Sequence, residues 1–129
     1  MMIQRSLVTV IDDDESVRES LPDLLRELGY AAEAFSSAEE FLVSGSIDQT
    51  GCLLLDIGMP GMSGPDLQKE LTIQGRGVPI IFITGNREGP AHRGMLRRNA
   101  IDCLYKPFSD RTLVEALNTA FDVSRTMTW

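Results

Sequence analysis

The sequence has little with which to build a nitrogen or sulfur metal site. Its 129 residues include one histidine, His92, and two cysteines, Cys52 and Cys103. His92 sits in a Gly/Pro-rich stretch without a partner at metal-ligand spacing and reads as a surface residue, not as a relay histidine. The cysteines match neither a zinc spacing nor a disulfide framework. Both lie in apolar contexts, which predicts buried free thiols in a reducing compartment. No apolar run approaches the ~18 residues that a membrane-spanning helix needs. The first apolar stretch is too short for a signal-peptide core and runs straight into three aspartates. A cytoplasmic location is expected. Positive charge is also scarce: 12 Lys and Arg stand against 19 Asp and Glu, for a net charge of −7. Direct nucleic-acid binding needs clustered basic residues, so it is not expected. No repeat, low-complexity tract or linker divides the chain, whose length suits one domain, residues 1–129, with a core of its own.

Five short apolar runs alternate with helical patterns. The strand candidates are Leu7–Ile11, Ala31–Phe35, Cys52–Asp56, Pro79–Thr84 and Asp102–Tyr105. The first, third and fourth are nearly all apolar, as strands covered on both faces are. Val17, Leu21, Leu24, Leu25 and Leu28 share one helical face, ended by Gly29. Pro22 inside that helix predicts a bend or a loosened first turn. Ser37-Ala38-Glu39-Glu40 reads as a capping box for a second helix that buries Phe41 and Leu42 and stops near Gly45. A third helix follows Ser63-Gly64-Pro65-Asp66 and carries Leu67 and Leu71. A fifth begins at Ser109-Asp110 and places Leu113, Leu117 and Phe121 on one stripe. Between them Gly85 to Gly94 is rich in Gly and Pro, and few apolar anchors, Met95 and Leu96, come after it. That predicts a weak, mobile fourth helix. Strict β/α alternation implies an α/β fold, a doubly wound parallel sheet with helices on both faces.

In such folds ligands gather at the carboxyl ends of the strands. Those ends carry Asp12-Asp13-Asp14, Asp56, Thr84 and Lys106-Pro107. Clustered carboxylates repel one another unless a cation joins them, and oxygen-only ligands select a hard ion such as magnesium. A carboxylate can also act as a nucleophile toward phosphorus, with a metal, an ammonium and a hydroxyl stabilising the phosphoryl oxygens. Each residue alone has a plainer reading. Asp14 suits a helix cap, Asp56 a turn, Thr84 a strand and Lys106 the surface. The convergence is what argues for chemistry.

The segments Val10-Ile11-Asp12-Asp13-Asp14, Leu53-Leu54-Leu55-Asp56-Ile57-Gly58-Met59-Pro60-Gly61-Met62-Ser63-Gly64, Ile81-Phe82-Ile83-Thr84-Gly85 and Tyr105-Lys106-Pro107-Phe108 resemble the receiver domains of two-component response regulators. The resemblance covers nearly the whole chain. It implies a (βα)5 flavodoxin-like fold, five parallel strands in the order 2-1-3-4-5. It implies that Asp56 accepts a phosphoryl group from a sensor histidine kinase. Mg2+ would be bound by Asp13, Asp56 and the Gly58 carbonyl, and by Asp12 through water. Thr84 and Lys106 would contact the phosphoryl oxygens, with a cis bond before Pro107. Such a domain is a phosphorylation switch, promoting only its own phosphorylation and dephosphorylation. It would act through the surface of the fourth helix, fifth strand and fifth helix, by homodimerisation or by control of a DNA-binding output domain outside this chain.

Two departures stand out. The aromatic usual three residues before the lysine is Cys103 here. Tyr105 shares its strand face by period-two alternation and is expected to take over part of the role. Gly58, with Asn86, occupies a position that tunes access of hydrolytic water in the family, and a glycine there predicts a short-lived acyl phosphate. Arg87, Arg93, Arg97 and Arg98 form either a docking patch or a solvated face. The rivals are weaker. A magnesium-dependent aspartyl phosphatase would need an acid at position 58. A nucleotide or flavin binder would need a Gly- or hydroxyl-rich loop after the first strand. A binding-only pseudo-receiver would not need the complete Asp/Asp/Thr/Lys set.

Overall fold

The computed structural model describes residues 7–85 and 102–127, with side chains through Asp122. Its elements in chain order are β1 (Leu7–Ile11), α1 (Glu15–Glu27), β2 (Ala31–Phe35), α2 (Ala38–Ser44), a 3-10 turn (Ser46–Gln49), β3 (Thr50–Asp56), α3 (Gly64–Ile73), β4 (Ile80–Thr84), β5 (Asp102–Tyr105) and a last helix, Asp110–Met127. All strand pairs are parallel and the sheet order is β2-β1-β3-β4-β5, as the resemblance implied. The expected fourth helix, with Asn86, Arg87, His92, Arg93, Met95, Leu96, Arg97 and Arg98, lies outside the described residues.

Side-chain alternation splits the core in two. Val8, Val10, Cys52, Leu54, Ile81 and Ile83 face α1 and the last helix, where Leu21, Leu25, Leu113 and Leu117 meet them. Ile11, Leu53, Leu55 and Phe82 face α2 and α3 and pack on Phe41, Leu67 and Leu71. Fully burying a leucine contributes about 2 kcal/mol, so β3, buried along its whole length, is the main anchor of the sheet. Two wings of helices attached in opposite directions make the strand order reverse between β1 and β3, and this opens a crevice above their carboxyl ends.

The local signals act as their chemistry dictates, with five adjustments. Asp14 caps α1, and Gly29 and Gly45 take positive φ at helix ends. Leu28 does not join the buried face: it is the C-cap residue and 36% exposed. Pro22 is buried within α1, which runs through it as one helix. The box at Ser37 is only half made. Ser37 Oγ accepts from Glu40 N–H at 3.1 Å, but the Glu40 carboxylate reaches the N–H and hydroxyl of Ser36, at 3.3 and 3.1 Å. The reciprocal box forms at Ser63 and Asp66 instead. The third strand begins at Thr50, two residues before its apolar run. The fourth begins at Ile80, although the Pro79 carbonyl still accepts from Leu53 N–H at 2.9 Å.

Candidate functional site

Asp12 follows β1 directly and is wholly buried. Burying a carboxylate is costly unless it is paired and hydrogen-bonded. Both its oxygens are engaged: Oδ1 accepts from Asp14 N–H at 2.9 Å and Oδ2 from the Lys106 ammonium at 2.8 Å. The Asp12 carbonyl accepts from Arg18 Nη1 at 3.0 Å, which ties the β1–α1 turn to its helix. Asp13 points to solvent at the mouth. Asp14 belongs to the helix: its carboxylate accepts from the hydroxyl and N–H of Ser16, at 2.7 and 2.9 Å. Those two bonds hold its pKa below the ordinary carboxylate value.

Asp56 closes β3 and is 9% exposed. Its neighbour Ile57 donates to the Ile83 carbonyl at 3.1 Å, which fixes the end of β3 against β4. Ligand oxygens of Asp12, Asp13 and Asp56 lie within 4.8 Å of one another. Burial, reinforced by the Asp12 charge and a contact with the Asp13 carboxyl, pushes the Asp56 pKa up to about 6 against the opposing pull of Lys106. On Lys106, burial favours the neutral amine, but the hydrogen bond and charge of Asp12, then Asp56 and Asp14, outweigh it and raise the pKa.

Lys106 arrives from the far side of the sheet. Its N–H donates to the Thr84 carbonyl at 2.8 Å, locking the ends of β4 and β5 together, and the Lys106–Pro107 bond is cis as expected. Thr84 lies at the end of β4, 7% exposed, with Tyr105 as its register partner on β5. Gly58 is exposed and its N–H lies 3.4 Å from Asp56 Oδ1; a Cβ built on it would meet nothing within 4 Å. Chain segments far apart in sequence thus bring Asp12, Asp13, Asp56, Thr84 and Lys106 to one end of the sheet. Cys103 is buried beside Phe82 and Cys52 beside β1, both free, with burial raising the thiols to about 11 and about 12.

The donor set fits a hard cation. It offers only oxygens, one carboxylate is exposed, and a second holds a pKa raised by burial and by the neighbouring Asp12 charge. Three contributors carry little or no sequence signal of their own. Arg18 holds the Asp12 backbone and looks like any helical arginine. Gly64 is required by close approach, since a Cβ on it would lie 2.5 Å from the Asp56 carbonyl oxygen. Its only signal is the glycine of the Met-Ser-Gly run. Glu39 touches the loop beyond Asp56 and has no signal, because its partner is 23 residues away.

A family model described as response regulator receiver domain matches residues 8–118. Nodulation protein W of Bradyrhizobium diazoefficiens is 42% identical over 121 residues, 94% of this chain and 53% of that protein. The solved response regulator StyR, 42% identical, aligns with a TM-score of 0.85 over 93% of this chain and 61% of its own. The crystal structure of FixJ-N, 34% identical, gives 0.83 over 93% of this chain and 96% of its own. The chain belongs to the response regulator receiver domain family. It spans about half the length of the curated relatives it matches.

Proposed function

We propose that the chain is a single receiver domain, residues 1–129, that takes a phosphoryl group on Asp56 from the phosphohistidine of a sensor kinase in the cytoplasm. The observation that carries this reading is the buried Asp56 carboxylate within 4.8 Å of two others, in a crevice that also holds the Lys106 ammonium. An Asp56 oxygen attacks phosphorus, the phosphorus–nitrogen bond breaks, and its electron pair returns to the imidazole, which takes up a proton. The product is an acyl phosphate. Asp13, Asp56 and the Gly58 carbonyl would hold Mg2+ directly. Asp12, with both oxygens already engaged, suits contact through water. Magnesium, when bound, supplies positive charge against the phosphoryl oxygens. Lys106 can exchange part of its pairing with Asp12 for the phosphoryl group, and the Thr84 hydroxyl donates a hydrogen bond to it.

This is a switch and not an enzyme acting on other substrates. The changed charge at Asp56 is felt through Thr84 and its neighbour Tyr105, which packs half-buried on the same apolar cluster as Cys103. Tyr105 takes over part of the role of the missing aromatic, and the fourth helix, fifth strand and last helix form the surface that changes. The output is a homodimer or a DNA-binding domain outside this chain. TmoT of Ectopseudomonas mendocina is named a response regulator and FixJ of Azorhizobium caulinodans a transcriptional regulatory protein. Loss of the fourth-helix shift on activation of Tyr105→Ala is the expected NMR outcome; an unchanged shift removes Tyr105 from the pathway.

Intact mass after incubation with Mg2+ and a small acyl-phosphate donor tests the acceptor. One phosphoryl group on the wild type, none on Asp56→Asn and none with chelator is the expected result. No adduct on the wild type, with beryllofluoride leaving its amide spectrum unmoved, would establish a binding-only pseudo-receiver instead.

A further inference from the structure

Glu39 lies in the first turn of α2, whose Ala38 and Phe41 are wholly buried in the core. The helix does not use it as a cap, because the Ser37 hydroxyl takes that place. Its Oε2 instead accepts from the N–H of Met62, 3.2 Å away. Met62 belongs to the 57–63 segment that leaves the acidic crevice directly after Asp56 and carries Gly58. One residue earlier, Gly61 takes φ +75°, and a Cβ built on it would lie 2.6 Å from the same Glu39 oxygen. The carboxylate therefore sits close against Gly61, whose positive φ favours glycine, and a methyl there would push the end of the Glu39 side chain aside.

The segment is otherwise tied at its ends, by the Gly58 N–H lying 3.4 Å from Asp56 Oδ1, and by the buried Met59 with the partly buried Ile57 and Met62 on the same apolar cluster. Ile57 N–H donates to Ile83, Gly64 N–H donates to the Ile57 carbonyl at 3.1 Å, and Met59 is 6% exposed. Gly58, exposed and with open space around its Cα, lies between them. We propose that Glu39 is a positioning residue that holds the 57–63 segment in the shape presenting the Gly58 carbonyl to the cation bound by Asp13 and Asp56. This role rests on the magnesium-dependent reading of Asp56. The acceptor oxygen is what holds the loop N–H, and the wholly buried Ala38 and Phe41 anchor the helix that carries it. Without the clamp the segment spends part of its time in shapes that withdraw the carbonyl. The apparent dissociation constant then rises in proportion to the lost fraction of competent shapes.

The test is a Mg2+ titration of the full chain followed by the amide resonances of Gly58, Gly61 and Met62, for wild type, Glu39→Gln and Glu39→Ala. Both substitutions remove the charge, but only alanine removes the acceptor. The expected result is Glu39→Gln close to wild type and Glu39→Ala about three- to tenfold weaker, the range one lost hydrogen bond supports. The Gly61 and Met62 resonances of Glu39→Ala should also shift before any metal is added. Gly61→Ala, which displaces the carboxylate from the other side, should weaken binding in the same direction. Equal losses in the two Glu39 variants would make the effect one of charge and overturn the clamp, as would wild-type affinity in Glu39→Ala. If wild type itself takes up no Mg2+, the clamp falls together with the magnesium-dependent reading. Binding that is intact in wild type and indifferent to Glu39 removes the clamp alone.

Discussion

The sheet buries polar groups in two places, and they are built on opposite plans. At the carboxyl ends of β1 and β3 three carboxylates face one ammonium, and one carboxylate holds a raised pKa. Deeper in the same strands lies a chain of neutral groups. The wholly buried Thr9 hydroxyl meets Thr50 Oγ1 at 2.8 Å, and Thr50 donates onward to the Ser46 carbonyl at 2.8 Å. A hydroxyl has one hydrogen, so Thr9 donates to Thr50. The neutral chain ends at the Ser46 carbonyl; the Ser46 hydroxyl donates separately to the exposed Glu33 carboxylate at 2.9 Å. The neutral chain is satisfied within the protein and stabilises the fold. The charged cluster is left short of positive charge, which under the proposed function a cation would supply. Function here is stored as electrostatic dissatisfaction at one end of a sheet secured by satisfied contacts elsewhere.

Substitutions can break this contrast. The largest expected loss is Gly64→Ala, whose new methyl would press on the Asp56 carbonyl and the Phe82 ring. Denaturant unfolding should show about 3 kcal/mol lost, and a milder effect would mean that the β3–α3 loop shifts easily. Next comes Thr50→Val, which strands the Thr9 hydroxyl and the Ser46 carbonyl and should cost about 2 kcal/mol in the same assay. Thr9→Val added to it should recover part of that loss, because both hydroxyl partners are then apolar.

Asp56→Asn should go the other way. In metal-free buffer at neutral pH it should stabilise by about 1 kcal/mol, a figure kept small because solvent at the mouth screens the repulsion. The pH dependence has a definite sign. The folded-state pKa of Asp56, about 6, lies above the ordinary 3.8, so between these values the folded state binds more protons than the unfolded. Stability then falls as pH rises through that window. The advantage of Asp56→Asn should be full above about pH 6 and fade toward pH 4, as thermal melts across pH would read. An advantage independent of pH would place its origin elsewhere. Saturating Mg2+ should remove it by stabilising wild type. The smallest effect expected is kinetic: Gly58→Met fills open space beside Asp56 and should slow acyl-phosphate loss by about threefold, a barrier change of under 1 kcal/mol. Faster loss in Gly58→Met would mean that shielding is not what sets the lifetime.

Much of this is legible in the chain of residues. Three strands, β1, β2 and β5, have the bounds read from the sequence, although β2 and β5 are partly exposed. The wholly buried β3 and β4 begin two residues earlier and one residue later than their apolar runs. The start of β3 is hidden: Thr50 and Gly51 do not look like strand, and only the hydroxyl chain and the pairing with β1 bring Thr50 in. Leu28 matches the helical period and still lies in the open, since the helix ends there before its face reaches the sheet. The Ser37 box reads correctly for its serine and not for Glu40, whose carboxylate finds the neighbouring Ser36.

The sequence by itself determined the alternation of elements, the five strands and the residue types at their carboxyl ends. These come from hydrophobic period, turn chemistry and motif, which act over a few residues. Only the tertiary structure decided that Lys106 pairs with Asp12, that Glu39 meets Met62, that Gly64 must be glycine and that Asp56 holds its proton to about pH 6. Each of these depends on how close two distant segments come, and on how much water remains between them.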